Sequence, residues 1–361
     1  MAADSDTPLG RLIDRQIAET GPMPFGLYMQ LCLTHPEHGY YHRPAPIGRG
    51  GDFVTAPEVS QIFGEALGLF VALLAQQVPD GIFDLVELGP GRGTLMADLI
   101  RSLTRVAPGA RPQGPFLVEI SQSLRAEQAD RLADLSPVWL ATIAELPDTG
   151  PPLIIVANEF FDTLPVRQYQ KGETGWHERV VGLADGRRVW GLNPTPIHDE
   201  ALPPAVRNAD LNERFEIRPA ADALMQILCD KLSRRGGVLL AIDYGYAASR
   251  TGDTIQAIAG HAYADPLERP GEADLTAHID FGALTLSAGN LETFPVLTQA
   301  GLLAALGSAE RAEMLARANP DRADAIAADL ARLTAPEQMG EIFKAFCVST
   351  RGFRPYPFIQ E

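Results

Sequence analysis

Apolar residues recur along this chain in two rhythms, and the chain divides where one rhythm gives way to the other. Leu9, Leu12, Ile13 and Ile17 fall on one face at helical spacing behind an Asp6/Thr7 cap, and residues 25–33 continue as a second helix. A longer apolar stretch at 62–75 is broken by Glu65 and is too short to cross a membrane, so it reads as a buried helix. From residue 82 the rhythm changes. Short apolar runs at 82–88, 116–120, 138–141, 153–157 and 237–242 are separated by helical stretches at 95–106, 123–135 and 220–232. Unbroken apolar strands alternating with helices predict an α/β fold, a mostly parallel sheet with helices on both faces.

Between residues 168 and 192 the pattern becomes apolar-polar alternation, and Asp185-Gly186 supplies a hairpin turn. This predicts a β-hairpin insertion, with the Pro-rich stretch 193–204 returning to the sheet as a surface loop. Further on come a run at 254–258, a loop at 261–270, a helix at about 277–288, Ala/Leu/Arg helices to residue 333 and a last strand at 342–349. The expected organisation is a helical N-terminal lobe at 1–80, a first part of the core at 81–167, the hairpin insertion and loop at 168–215, and a second part of the core with a helical substrate-side insertion at 216–361.

Composition narrows the field. With 46 acids against 30 bases, a formal net charge of -16, the chain repels nucleic-acid phosphates and suits a basic partner. Cys32, Cys229 and Cys347 lie far apart with no Cys-x-x-Cys, so disulfides and a zinc knuckle are not expected. His35, His38 and His42 are close together without a metal-ligand motif, and no metal is expected. Gly-x-Ser-x-Gly and Gly-Lys-Ser/Thr are absent, which leaves a serine hydrolase or a nucleotide triphosphatase without support. The first residues are acidic and polar, neither a secretory signal nor an Arg-rich presequence, so the expected location is the bacterial cytoplasm.

The densest signal is Leu85-Val-Glu-Leu-Gly-Pro-Gly-Arg-Gly-Thr94, where an apolar run ends on Glu87 and opens into Gly89, Gly91 and Gly93 before a helix. Glycines there permit positive φ and close approach of a ligand. The G-x-G-x-G spacing, with an acid two residues ahead, favours a cofactor bearing an amine over a dinucleotide, and S-adenosylmethionine meets that description. Glu119, about 30 residues beyond Gly89, ends the next run in phase to accept both ribose hydroxyls. The competing reading of Glu87 is a helix cap, and that of Glu119 a solvated strand end. Asn158, Glu159 and Asp162 crowd polar groups after the run at 153–157, where two carboxylates could grip a guanidinium and Asn158 could accept from an amine. The bland alternative is a capped helix start with Asp162 solvated. Thr55, Pro57 and Glu58 read as a helix start or as part of a site, and Asp243-Tyr244-Gly245 ends a later run on the same sheet edge.

Taken in order, Gly39-Tyr-Tyr41, Gly51-Asp-Phe-x-Thr-x-Pro-Glu58, Val86-Glu-Leu-Gly-Pro-Gly-Arg-Gly93, Ala157-Asn-Glu-Phe-Phe-Asp-x-Leu-Pro165 and Ile242-Asp-Tyr-Gly245 resemble the MidA-like S-adenosylmethionine-dependent methyltransferases, over about residues 9–349. The resemblance implies a class I, Rossmann-like methyltransferase fold. Its mitochondrial members serve as assembly factors of respiratory complex I, which implies methylation of an arginine in a complex I subunit, with a protein as partner. Carried onto this chain, it implies cofactor binding by Glu87, Gly89, Gly91, Gly93 and Glu119, with Thr55 and Glu58 in the flanking motif. Asn158, Glu159 and Asp162 fall in the loop that meets substrate. A non-catalytic assembly chaperone and a small-molecule methyltransferase remain as alternatives.

Overall fold

The computed structural model describes residues 7–42, 55–197 and 202–359. Gly51, Asp52 and Phe53 of the quoted motif, and Asp6 of the expected cap, lie outside the described residues. Helix α1 (Pro8–Thr20) begins on Thr7, whose hydroxyl accepts from the Gly10 N–H. Strand β1 (Met23–Pro24) leads into α2 (Phe25–Thr34), and α3 (Ala56–Val59) and α4 (Gln61–Ala75) follow.

The first part of the core runs β2 (Ile82–Leu88), α5 (Thr94–Val106), β3 (Arg111–Val118), α6 (Gln122–Arg131), β4 (Val138–Leu140) and β5 (Leu153–Asn158). An antiparallel insertion, β6 (Arg167–Gly172), β7 (Gly175–Ala184), β8 (Arg187–Ile197) and β9 (Arg214–Ile217), precedes α7 (Pro219–Arg235) and β10 (Gly237–Tyr246). The remainder is β11 (Gln256–Ala259), β12 (Ala262–Tyr263), β13 (Asp274–Thr276), β14 (Ile279–Asp280), α8 (Phe281–Ser287), β15 (Glu292–Thr293), β16 (Leu297–Thr298), α9 (Gln299–Ala305), α10 (Ser308–Ala318), α11 (Ala323–Thr334) and β17 (Phe343–Ser349).

The main sheet has the order β15-β17-β10-β5-β2-β3-β4, with β10, β5, β2, β3 and β4 parallel and β17 antiparallel to β10. Every residue of β5 and β10 is buried, the pattern of strands covered on both faces. One face packs on α4 and α5, the other on α7 and α8. Asp84, a buried acid inside β2, is held by Arg235 at the end of α7, which also donates to the Pro147 and Pro151 carbonyls. A second sheet, β1-β7-β6-β9 with β8 on β7, holds the expected β-hairpin together with β1 from the N-terminal region, and the hairpin turns at Asp185 (φ 50°) and Gly186 (φ 72°).

Three local expectations change. The stretch expected as a loop from residue 193 is strand as far as Ile197, because β7 is long enough to pair it as far as Trp176. The helix expected from residue 277 begins at Phe281, since Ile279 and Asp280 first pair with β10. The helices of residues 1–80 pack in two places: α1 and α2 against β7 and the small sheet β12-β11-β13, but α4 on the main sheet against α5.

Candidate functional site

Beyond Leu88 the chain turns through Gly89, Gly91 and Gly93 at φ 63°, 51° and 77°, the left-handed region where a Cβ is strained. The Gly89 N–H donates to the Val118 carbonyl (3.0 Å), tying the turn to the end of β3, and Gly93 is the N-cap of α5. A Cβ on Gly89 would stand 2.6 Å from the Phe160 ring. These glycines therefore bring three things together at the carboxyl end of the parallel strands: the turn, the amino end of α5 and the loop after β5.

A cavity opens there, walled by Thr55, Glu58, Glu87, Gly89, Gly91, Asn158 and Glu159 with the first residues of α5. Gly93, Glu119 and Asp162 stand outside its wall. Thr55 occupies the N-cap of α3 as the sequence suggested, yet its side chain makes no capping bond. The Glu58 carboxylate accepts from the Thr94 hydroxyl, with Arg92 at 3.8 Å. Glu87 is different. It is 3% exposed, its Oε2 has no partner among the described residues, and burial, reinforced by Glu119, raises its carboxyl to about 8.

Glu119 lies one residue past β3. Its Oε1 accepts from the Ser121 N–H (2.8 Å), its Oε2 from the Gln128 amide (3.4 Å), and burial raises its carboxyl. Gln128, fully buried on α6, also donates to the Gly91 carbonyl (2.6 Å) and accepts from the Trp139 indole (2.8 Å). One amide thus joins the glycine turn to the acid of the next strand. No motif marks it; the only sequence signal is a glutamine on the buried face of an otherwise polar helix.

At the end of β5 the Asn158 amide nitrogen donates to Glu159 Oε1 (3.3 Å), which also accepts from the Ala56 N–H (2.9 Å). Glu159 sits at φ 48° with its carboxyl raised to about 7, first by burial and then by Asp162. Asp162 is buried, not the solvated helix start of the bland reading, and takes the Tyr244 hydroxyl on Oδ2. Its backbone N–H donates to Asp243 Oδ2 (3.1 Å), and burial, then Asp162, lifts the Asp243 carboxyl well above its usual range. Arg218 is close enough to favour charge on both acids, but its N–H groups donate to the Phe161 and Ala277 carbonyls. Asp243 and Tyr244, noticed in the sequence only as a strand end, thus brace the loop after β5.

The buried, unpaired Glu87 oxygen beside left-handed glycines and a helix amino end suits a ligand that brings both an ammonium and a carboxylate, as the methionyl end of S-adenosylmethionine does.

Residues 66–296 match a family of S-adenosyl-L-methionine-dependent methyltransferases. The chain is 34% identical to the mouse mitochondrial protein arginine methyltransferase NDUFAF7, over 95% of this chain and 84% of that protein, and 32% identical to the human one over 95% and 83%. Among solved structures, a Burkholderia thailandensis protein bound to S-adenosyl-homocysteine is 30% identical and superposes with a TM-score of 0.86 over 96% of this chain and 92% of that one.

Proposed function

The chain belongs to the S-adenosyl-L-methionine-dependent methyltransferase family, and on that premise we propose that its methyl acceptor is an arginine of a protein. When bound, the cofactor supplies an electrophilic methyl group on a sulfonium. Glu87, Gly89, Gly91, Gly93 and Glu119 hold it, with Thr55 and Glu58 closing one side of the cavity. Asn158, Glu159 and Asp162 meet the substrate.

The observation that carries the arginine reading is a surplus of acceptors. Asn158, at the end of β5, and Asp162, in the turn beyond it, each keep a buried oxygen without a partner among the described residues. A guanidinium brings donors only. Its methylation releases one proton, and Glu159, raised to about 7, is suited to take it. The names of the mouse and human relatives support the same acceptor. We extend the proposal to a subunit of respiratory complex I and a role in its assembly, on the resemblance of the motifs. No helix among the described residues is long and apolar enough to cross a membrane. The three unpaired cysteines suit a reducing compartment such as the cytoplasm.

Incubation with labelled S-adenosylmethionine and cell extract should place label on arginine of a protein, found by mass spectrometry. Gly91→Val, a branched residue at φ 51°, should stay folded, lose S-adenosyl-homocysteine binding by calorimetry and transfer nothing. Cofactor binding without transfer would favour the assembly chaperone. Label confined to low-molecular-weight material would replace the protein substrate by a small molecule.

A further inference from the structure

A second cavity, of about 370 Å³, borders that of the cofactor: Pro57, Glu58 and Thr94 line both. Its outer wall is built by α10 and α11, helices that stand outside the alternation of strand and helix. Arg322, Ile326 and Asp329 recur at helical spacing from the N-cap of α11 onward, and all three line the cavity. One turn beyond Asp329, Arg332 is close enough to Glu159 to favour charge on it. Helix α11 thus leads from this cavity to the acid at the reaction site. The acids at the α5 side are already satisfied, since the Thr94 hydroxyl donates to Glu58 and Arg101 pairs with Asp98 at 2.6 Å. The amide nitrogens of Gln61 and Asn319 are spent locally, on Glu65 (3.2 Å) and on the Leu315 carbonyl (3.1 Å), which leaves their amide oxygens to accept. The side chains of Arg322 and Asp329 make no hydrogen bond or ion pair among the described residues. The lining therefore offers acceptors and donors together. A phosphate brings acceptors only and a guanidinium donors only, whereas a polypeptide main chain brings both in every residue. Asn319 and Arg322 are exposed, so the cavity opens to solvent at the turn between α10 and α11.

We propose that this cavity receives the stretch of the protein substrate next to the methylated residue, held by main-chain hydrogen bonds, with a basic side chain of that stretch on Asp329. The inference rests on the protein-substrate reading above and adds where the flanking chain lies and what it carries. The shared wall of Pro57, Glu58 and Thr94 lets one residue reach the cofactor while its neighbours occupy the second cavity. A basic flank also suits a chain of net charge -16.

Calorimetric titration of the S-adenosyl-homocysteine-loaded protein with acetyl-Gly-Lys-Gly-Arg-Gly-Lys-Gly-amide and with N-acetyl-arginine N-methylamide tests this apart from any transfer assay. The peptide should bind about tenfold more tightly, the return on one or two net hydrogen bonds. Asn319→Trp, which fills the mouth of the cavity, should remove that gain while leaving the capped arginine and S-adenosyl-homocysteine unchanged. Asp329→Lys should do the same, and a peptide with alanine in place of both lysines should respond to Asn319→Trp but not to Asp329→Lys. Neither substitution enters the core, and unchanged S-adenosyl-homocysteine affinity reports an intact fold. No gain for the peptide, or a gain that survives both substitutions, overturns the proposal even if arginine in a protein is methylated. The same cavity-dependent gain for a peptide with lysine at its centre, measured against capped lysine, would instead count against arginine as the acceptor and leave the peptide site standing.

Discussion

Glu87 illustrates how one side chain couples cofactor to pH. Its carboxyl is raised to about 8 by burial and then by Glu119, so near neutrality the folded chain holds a proton there that the unfolded chain, with an ordinary carboxyl, has already lost. The stability of the unliganded protein should therefore fall as pH rises from about 5 through 8. A ligand ammonium prefers the charged carboxylate and reverses that trend for binding: S-adenosyl-homocysteine affinity should climb between pH 6 and 8, with proton release visible as a heat that depends on buffer ionisation. Affinity flat across that window would separate Glu87 from the ammonium. At this scale the sequence was informative where glycine and acid recur in a motif, as at Glu87 to Gly93. It was silent on Gln128, because nothing local in α6 says that one amide will bridge two strands, and nearly silent on Tyr244, whose role depends on a partner 82 residues away.

Elements met each other at places that periodicity alone does not name. Helix α4 carries Gly64 and Gly68 one turn apart; a Cβ on Gly64 would lie 2.5 Å from Asp98 Cβ, and one on Gly68 2.6 Å from Ser102 Cβ, so the two glycines let α4 press onto α5. Gly68→Ala gains about 1 kcal/mol of helix propensity, but overpacking costs about 1–3 kcal/mol, and a lowered urea midpoint is expected. The tie between Asp84 and Arg235 joins β2 to α7. Asp84→Ala leaves the guanidinium buried and uncompensated and should cost about 3–5 kcal/mol in denaturant unfolding. Because Asp84 pairs in register with Leu153, at the strand ends away from the glycine turn, S-adenosyl-homocysteine affinity of the folded variant should be unchanged. Helical periodicity identified α1, α2 and α4 as amphipathic or buried but says nothing about which surface covers each face. That is why they read as one lobe and pack as two.

For the molecule as a whole, the alternation of apolar runs with helices was enough to anticipate a parallel sheet covered on both faces, and the switch to strict alternation marked the inserted hairpin. Strand order was not legible, since a run of apolar residues carries no information about its neighbours. The last strand is the clearest case. β17 does not extend the sheet from its rim but lies between β10 and β15, paired with β10 over seven positions from Val238–Ser349 to Tyr244–Phe343. During synthesis the wholly buried β10 therefore emerges well before its partner, with residues 247–342 still to come. Throughout that interval an unpaired, water-averse strand edge is exposed, a template for pairing with another nascent chain. The strand whose end supplies Asp243 and Tyr244 is thus completed late in synthesis, which makes this chain a natural client for holding chaperones and makes premature termination before β17 a route to aggregates.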